Sequence, residues 1–376
     1  MGLGLLMVAS GALIACDTQP LPAVPDATDA GKDAAGGDTL APADTVGADA
    51  DRTVSVTVGE SASGLAMKDG VVVWAEEGDL WIVRPLTGAK EPLVDAEGDQ
   101  KEPTLAGGLV VWADNRGGDY DLWAVEVDGG TPRLLVGGEG DQDQPWLDGK
   151  RLVWIGRDAA PHTATEAEVW VMDVDDPSSK RQLTSDAVEQ SHPAVSGDRV
   201  VWADFTNADA GRYLDDSDPA KNNADILGYD LGAERSFVVT TDPGKQLRPS
   251  IDGDEVVWLD WRGISPEPKY SDFQIYVKRI GDAEDRLLAK SRWDRPELWQ
   301  RPSIANGIVA WVAERPAEAS GTFTTAVFAA SFEGGEPWNV EESTSVLRAV
   351  VLGQGKAAWL GEGVVAIRPL VVPAGP

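Results

Sequence analysis

Residues 108–127 have the sequence GLVVWADNRGGDYDLWAVEV and contain the pattern that decides the fold. An apolar strand ends in Trp112, a polar turn follows, and a second strand begins at Asp121. Alternating apolar positions, rich in β-branched and aromatic residues, predict two antiparallel strands. The same pattern returns along the whole chain, so the number and spacing of its copies determine the architecture.

Seven tryptophans each end a short apolar strand and define seven repeat units: Trp74, Trp112, Trp154, Trp202, Trp258, Trp311 and Trp359. In five units a proline stands nine residues earlier: Pro103, Pro145, Pro193, Pro249 and Pro302. Leu65 and Val350 hold this position in the first and last units. A glycine four or five residues before each tryptophan marks a turn, so each unit begins with two strands joined by a tight connection.

A third strand follows in every unit, marked by Leu80-Trp81, Leu122-Trp123, Val169-Trp170, Ile226-Leu227, Ile275-Tyr276, Val327-Phe328 and Val364-Val365. A shorter fourth strand follows in six units, at residues 92–94, 133–136, 181–184, 237–240, 286–288 and 338–340. Four antiparallel strands that recur about every 40–50 residues are typical of propeller blades. The sequence therefore predicts an all-β fold, a seven-bladed β-propeller of four-stranded antiparallel blades.

The seventh unit lacks a fourth strand of its own, because the chain ends soon after residues 367–372. A spare strand is present at the other end, where residues 53–58 (TVSVTV) alternate cleanly. We predict that this N-terminal strand pairs with the last blade and closes the ring, which protects the strand edges. The propeller is then expected to span residues 53–376.

These units resemble the TolB-like family of β-propellers. The resemblance is clearest in residues 249–260 (PSIDGDEVVWLD), followed by Gln274-Ile275-Tyr276, and in residues 193–204. It covers roughly residues 60–370 and implies the propeller fold. TolB-like domains usually have six blades, whereas seven units are present here. The same blade serves both binding proteins and enzymes, so the resemblance implies little about activity.

Residues 1–15 form an apolar run of signal-peptide length, and Leu13-Ile14-Ala15-Cys16 resembles the lipobox of bacterial lipoproteins. This resemblance implies a lipoprotein that is acylated at Cys16, for example with palmitate, and held in the bacterial cell envelope, at the periplasmic or outer-membrane surface. A secretory peptide without lipidation is the alternative. Residues 16–52 contain almost nothing large and apolar, which predicts a disordered tether as a linker.

The composition excludes several classes of function. With 32 basic and 63 acidic residues, the formal net charge is −31, so phosphate backbones are repelled and nucleic acid is not expected as a partner. Membrane association is expected through the lipid anchor only. Cys16 is the single cysteine, which precludes an intrachain disulfide. Only two histidines, His162 and His192, are present, which removes most zinc sites.

The loop between the second and third strands varies in length from unit to unit. From the repeat tryptophan to the third-strand marker it spans 7 residues in the first unit and 6 in the last. It grows to 16, 25, 18 and 17 residues in units three to six. Long loops on a rigid scaffold are where ligands commonly bind. The sequence therefore predicts a binding face on blades three to six.

The longest insertion, residues 204–225, is dense in the oxygen ligands that calcium prefers. The candidate ligands are Asp209, Asp215, Asp216, Asp218 and Asp225. Their spacing does not match an EF-hand loop, and a solvated acidic loop without metal is the alternative. Calcium is the one cofactor that the sequence suggests.

Other candidate ligand-binding residues are aromatic or basic. The aromatic candidates in the long loops are Tyr213, Trp261, Tyr270 and Phe273. An arginine also recurs three or four residues after the repeat tryptophan, at Arg116, Arg157, Arg262 and Arg315, often near an acidic residue. These arginines either brace the hairpins as Asp–Arg pairs or form a basic ring around the pore that captures an anion.

No nucleophile motif, P-loop or dinucleotide fingerprint is present, which favours a binding protein over an enzyme. The leading hypothesis is a binding or scaffolding module for an envelope or surface protein, a peptide or a glycan. One alternative is a polysaccharide-active propeller hydrolase or lyase that uses loop carboxylates. Another is a TolB-like component of envelope assembly.

Overall fold

The computed structural model describes residues 53–157, 167–186, 188–206, 223–262, 271–293, 300–316, 323–343 and 345–373. The compact unit that contains them is Val46–Pro376. The described residues form strands and connecting turns without any helix, so no helix among them is long and apolar enough to cross a membrane. The predicted signal peptide, Cys16 and the predicted tether lie outside the described residues.

Seven four-stranded antiparallel sheets form the blades. The first strand of the chain is β1 (Val54–Thr57). Blade 1 contains β2 (Ser63–Lys68), β3 (Val71–Glu76), β4 (Asp79–Val83) and β5 (Lys90–Val94). Blade 2 contains β6 (Gln100–Ala106), β7 (Leu109–Asp114), β8 (Asp121–Glu126) and β9 (Arg133–Val136). Blade 3 contains β10 (Gln142–Asp148), β11 (Arg151–Arg157), β12 (Ala167–Asp173) and β13 (Asp176–Gln182).

The remaining blades follow the same order. Blade 4 contains β14 (Gln190–Ser196), β15 (Arg199–Asp204), β16 (Asp225–Asp230) and β17 (Arg235–Thr240). Blade 5 contains β18 (Gln246–Asp252), β19 (Glu255–Asp260), β20 (Ser271–Arg279) and β21 (Arg286–Trp293). Blade 6 contains β22 (Ser303–Ala305), β23 (Ile308–Pro316), β24 (Phe323–Ser331) and β25 (Trp338–Ser343). Blade 7 contains β26 (Leu347–Gly353), β27 (Lys356–Gly361), β28 (Val364–Pro369) and β1.

The predicted seven-bladed propeller is confirmed, including the strand that closes it. β1 pairs antiparallel with β28, with Val54 opposite Ile367 and Thr57 opposite Val364. The Val58 amide extends the pairing by donating to the Gly363 carbonyl at 3.1 Å. The first and last segments of the ring are thereby held in one sheet, and no blade is left with an open gap to its neighbour.

The repeat tryptophans set the register between the second and third strands. In six blades each tryptophan lies directly opposite the predicted third-strand marker, as Trp112 lies opposite Trp123 and Trp258 opposite Tyr276. In blade 7 Trp359 lies opposite Ala366, one residue beyond the predicted marker Val365. All seven tryptophans are at most 3% exposed, which confirms them as core residues.

All six predicted fourth strands are present; four are longer than predicted, and one is shifted along the sequence. The fourth strand of blade 3 was expected at residues 181–184, whereas β13 is Asp176–Gln182. The β12–β13 connection is tight, with Asp173 opposite Asp176, so β13 begins soon after β12 ends. The strand is polar and largely exposed, and it therefore lacks the apolar alternation by which strands are recognised.

The closing strand offers a test of the ring. Val56 is buried, whereas the neighbouring Ser55 is exposed on the opposite side of the same strand. We expect Val56→Asp to lower the free energy of unfolding by about 3–5 kcal/mol, because it places an unpaired charge in the core. The matched control Ser55→Asp should change it by less than about 0.5 kcal/mol, as exposed substitutions usually do. Equal losses in urea unfolding would contradict the closure.

Candidate functional site

The two faces of the ring differ in what they carry. The innermost strands begin where the second strands end, with Gln142 opposite Gly156, Gln190 opposite Asp204 and Gln246 opposite Asp260. We call this side the loop face, because the long connections between second and third strands leave the sheets there. The side with the short turns between first and second strands is the hairpin face. The predicted binding face is therefore the loop face.

A bulge lies near the start of the innermost strand in five successive blades. The ladder pairing skips two residues there, namely Gly64-Leu65, Glu102-Pro103, Gln144-Pro145, His192-Pro193 and Arg248-Pro249. Proline cannot donate to the ladder and is tolerated in a sheet at such bulges. The first residue of each pair has a φ between 53° and 62°. The bulge therefore places a left-handed residue at the same position in five blades, followed by proline in four of them and by Leu65 in blade 1.

These bulge residues line a cavity on the loop face at the centre of the ring. Its volume is about 480 Å³, and its lining includes residues from the innermost strands of all seven blades, with His192 as the contribution of blade 4. We define the channel mouth as Glu102, Gln144, His192, Arg248 and Arg301. An adjoining cavity of about 350 Å³ continues towards the hairpin face. The mouth is a concave polar site of the described residues on this face.

Hydrogen bonds join the channel mouth from blade to blade. The Gln144 amide donates to Glu102 Oε2 at 2.8 Å, and the His192 amide donates to Gln144 Oε1 at 2.6 Å. Arg301, from the segment before β22, donates from Nη1 to the Pro193 carbonyl at 3.1 Å. Its guanidinium also lies 4.4 Å from the Trp146 ring centroid. Arg301 of blade 6 thus contacts blades 3 and 4.

Burial shifts three titratable groups of the mouth towards their neutral forms. It lowers the pKa of His192 well below its usual value, and the nearby positive charges of Arg248 and Arg301 lower it further. Burial and the charge of Arg248 lower the pKa of Arg301 to about 9. Burial, followed by the charge of Asp143, raises the pKa of Glu102. Perturbed groups collected in one cavity are typical of a functional site.

The left-handed backbone of the mouth can be tested at Arg248, whose φ is 57°. Glycine adopts this region freely, and blade 1 has Gly64 in the equivalent place. We expect Arg248→Gly to be more stable than Arg248→Ala by about 1 kcal/mol, because alanine retains the strain. Chemical unfolding of the two variants measures this difference. An alanine variant as stable as the glycine variant would contradict the strained bulge.

Two of the predicted arginines brace the connection between the second and third strands of their own blade instead of facing the pore. In blade 2, Arg116 bonds Asp114 at 2.8 and 2.6 Å and lies 4.0 Å from the Trp123 ring. In blade 5, Arg262 bonds Asp260 at 2.9 and 2.6 Å and also contacts Asp285. Asp114 and Asp260 each also accept a hydrogen bond at 2.9 Å from the indole N–H of the repeat tryptophan in the same blade.

The other two predicted arginines behave differently. Arg157 pairs with Asp143, the residue that precedes Gln144, with Nη1 and Oδ1 2.8 Å apart. Arg315 lies in β23 with its backbone opposite Thr324, and its side chain lies outside the described residues. The three arginines whose side chains the structure describes each pair with an aspartate.

Of the aromatic and acidic candidates, the structure describes Trp261, Phe273 and Asp225. Trp261 and Phe273 are buried in the core, with ring centroids 6.3 Å apart. Asp225 is buried at the start of β16. Tyr213, Tyr270, Asp209, Asp215, Asp216 and Asp218 lie outside the described residues. Within the residues that the structure does describe, no three His, Cys, Asp or Glu side chains are grouped as a metal site. Calcium binding by the long insertion stays a prediction.

The buried Asp114 carboxylate provides a pH test of the bracing pairs. Burial raises its pKa, but hydrogen bonds from Arg116 and Trp112 outweigh burial and hold the pKa below its usual value. Its stabilising effect is therefore full above the unfolded pKa of about 3.9 and is lost as the pH falls through the folded value. We expect Asp114→Asn to destabilise the protein by about 1–3 kcal/mol at neutral pH and by less in acid.

The control for this test is Asp128→Asn, which changes an exposed turn residue by the same atoms. It should leave the free energy of unfolding nearly unchanged at both pH values. Urea titrations of the three proteins at neutral and acidic pH measure the effect. If Asp114→Asn lowered the free energy of unfolding by the same amount at neutral and acidic pH, the result would contradict a lowered pKa of Asp114.

The residues of the channel mouth were not predicted from the sequence as a site. Their signal was nevertheless present, because four of the five repeat prolines of blades 2 to 6 follow Glu102, Gln144, His192 and Arg248, and the fifth follows Arg301. Only the ring brings these five positions together, since they are separated by 42 to 56 residues along the chain.

Comparison with known proteins supports the fold and leaves the function open. No family model and no curated protein matches the chain. A puromycin hydrolase structure is similar with a TM-score of 0.58 and 15% identity, over 85% of this chain and 55% of that one. Oligogalacturonate lyase in complex with manganese has a TM-score of 0.56 and 12% identity, over 85% and 91%.

TolB from Acinetobacter baumannii is also similar, with a TM-score of 0.50 and 12% identity, over 79% of this chain and 65% of that one. This chain thus covers less than two thirds of TolB and little more than half of the puromycin hydrolase. At identities this low, the structural similarity shows a shared propeller fold only. The fold and the mouth together define the molecule as a seven-bladed β-propeller with a polar central cavity.

Proposed function

We propose that this propeller is a binding module of the bacterial cell envelope, held by an acylated Cys16, whose ligand docks on the loop face. The observation that carries the proposal is that the long connections of blades 3 to 6 leave the ring on the same face as the 480 Å³ cavity. Loops around a central concave site can contact a large ligand while the rigid blades fix their ends. The ligand is a protein, a peptide or a glycan.

The lipid anchor and the location rest on the lipobox-like sequence that ends at Cys16. Acylation at this residue would keep the propeller on the periplasmic side or at the outer surface of the envelope. The net charge of −31 supports an extracytoplasmic protein that stays soluble beside its anchor. Structural similarity to TolB supports the related proposal of a role in envelope assembly through a protein partner.

A polysaccharide-active lyase or hydrolase is the second candidate, favoured by the similarity to oligogalacturonate lyase over 91% of its chain. Acid–base cleavage by paired carboxylates requires two of them within about 10 Å. Among the described residues that line the mouth, Glu102 is the one carboxylate. A panel of neutral and acidic polysaccharides tests this candidate, and the absence of turnover with any of them would argue for the binding module.

The loop face can be tested by removing part of its longest connection. We expect deletion of residues 208–221 to abolish capture of a partner from envelope extract while leaving the fold intact, because β15 and β16 stay paired between Asp204 and Asp225. The matched control removes Ala283 and Glu284 from the β20–β21 turn on the hairpin face and should capture normally. Circular dichroism and thermal unfolding verify the fold of both.

The same pull-down with and without a chelator tests calcium. Capture that disappears in chelator and returns with added calcium would support a metal in the acidic insertion. Capture that survives chelation would retire that role. Unchanged capture by the deletion variant would count against the loop face itself.

A further inference from the structure

The side chains at the bulge position are larger and more polar than the backbone there requires. Five blades share the left-handed position, and Gly64 fills it in blade 1 without strain. The equivalent residues of blades 2 to 5 are Glu102, Gln144, His192 and Arg248, each strained by about 1 kcal/mol relative to glycine. Glu102 and Gln144 use their side chains to accept from the next blade. The backbone alone gives no reason for histidine and arginine in the other two.

The mouth also collects positive charge in a strongly acidic protein. Arg248 and Arg301 are close enough for each to disfavour the charge of the other. Most described arginines have a carboxylate within 4 Å, as Arg116, Arg262 and Arg279 do. Among the described residues, no carboxylate lies within 4 Å of the Arg301 guanidinium. Arg301 is partly buried, and Glu102 lies near enough to favour its charge without forming an ion pair with it. A partly buried cation without a direct ion-pair partner is costly, and a bound anion would lower that cost.

The geometry suits a small anion. A guanidinium has five N–H donors in a planar fork, and among the described residues Arg301 uses one of them on the Pro193 carbonyl. Its contact with the Trp146 ring, 4.4 Å from the ring centroid, holds the guanidinium beside the cavity. His192 bonds Ser191 Oγ through Nδ1 at 2.9 Å and also lines the cavity. A volume of about 480 Å³ admits a small molecule with several groups beyond the charged one.

We propose that the channel mouth is an oxyanion-binding site, in which Arg301, with Arg248 and His192, holds the carboxylate or phosphate group of a small ligand. Two parallel hydrogen bonds from the guanidinium to two oxygens of the anion provide the recognition. This site goes beyond the loop-face partner, because it is built entirely from described residues of the channel. It can exist whether or not residues 208–221 contact a partner.

The test uses the full-length protein and three probes at constant ionic strength set with chloride. Titration calorimetry measures binding of succinate, of inorganic phosphate, and of succinamide as the neutral analogue of succinate. We expect at least one anion to bind and succinamide not to bind. Binding of succinate but not phosphate would identify the ligand group as a carboxylate, and binding of phosphate but not succinate would identify it as a phosphate. Binding of both would show that the site accepts either group. Absence of binding by both anions would overturn the proposal.

Variants then assign the binding to the mouth. Arg301→Gln should weaken the anion at least about tenfold, because it removes charge-assisted hydrogen bonds. The matched control is Arg279→Gln, which removes the same charge from an exposed pair on the hairpin face and should bind as the parent does. Arg301→Lys keeps the charge and should also weaken binding, because a single ammonium cannot form the two parallel bonds.

Arg301→Lys keeps the test decisive if Arg301→Gln fails to fold. Equal affinity in the parent and in a folded Arg301 variant would overturn the assignment. Because the pull-down with residues 208–221 deleted does not depend on these probes, failure of one proposal is distinguishable from failure of the other. Anion binding that is lost in Arg301→Gln but retained in the loop deletion would support the channel site independently.

Discussion

The pairing of β1 with β28 is the constraint on which the rest of the molecule depends. Each blade contributes between one and four residues to the central cavity, so the cavity exists only when all seven blades complete a circle. The valines of β1 bury their side chains in the last blade, while the alternate residues face solvent. A short alternating strand thereby joins segments about 300 residues apart and gives the channel mouth its fixed walls.

Within each blade the repeat tryptophan links packing to polar chemistry. Its ring fills the space between sheets, and in four blades its indole donates to an acid two residues later, as Trp112 does to Asp114. That buried acid then holds the arginine of the following hairpin in blades 2 and 5. The loop connections consequently start from positions that the core itself secures, which is the arrangement expected of a scaffold that presents variable loops.

The fold was predictable from the sequence because its signals are local. Apolar alternation, glycine at the turns and a tryptophan at each second strand recur often enough to count blades and to identify the closing strand. The polar strand β13 lacked that alternation, and its bounds were predicted less well. The site was harder to predict, because Glu102, His192 and Arg301 are different residue types and only the closed ring brings them close together. The recurring arginines were conspicuous, yet a neighbouring acid commits Arg116 and Arg262 to their own hairpins.

The direction of β1 has a mechanical consequence. Val54 lies opposite Ile367, near the hairpin-face end of β28, and Thr57 lies opposite Val364 at the loop-face end. The polypeptide therefore joins the ring from the hairpin side, on the outer rim of blade 7. Any tension applied through residues upstream of Val54 pulls on that rim and on the seam between β1 and β28.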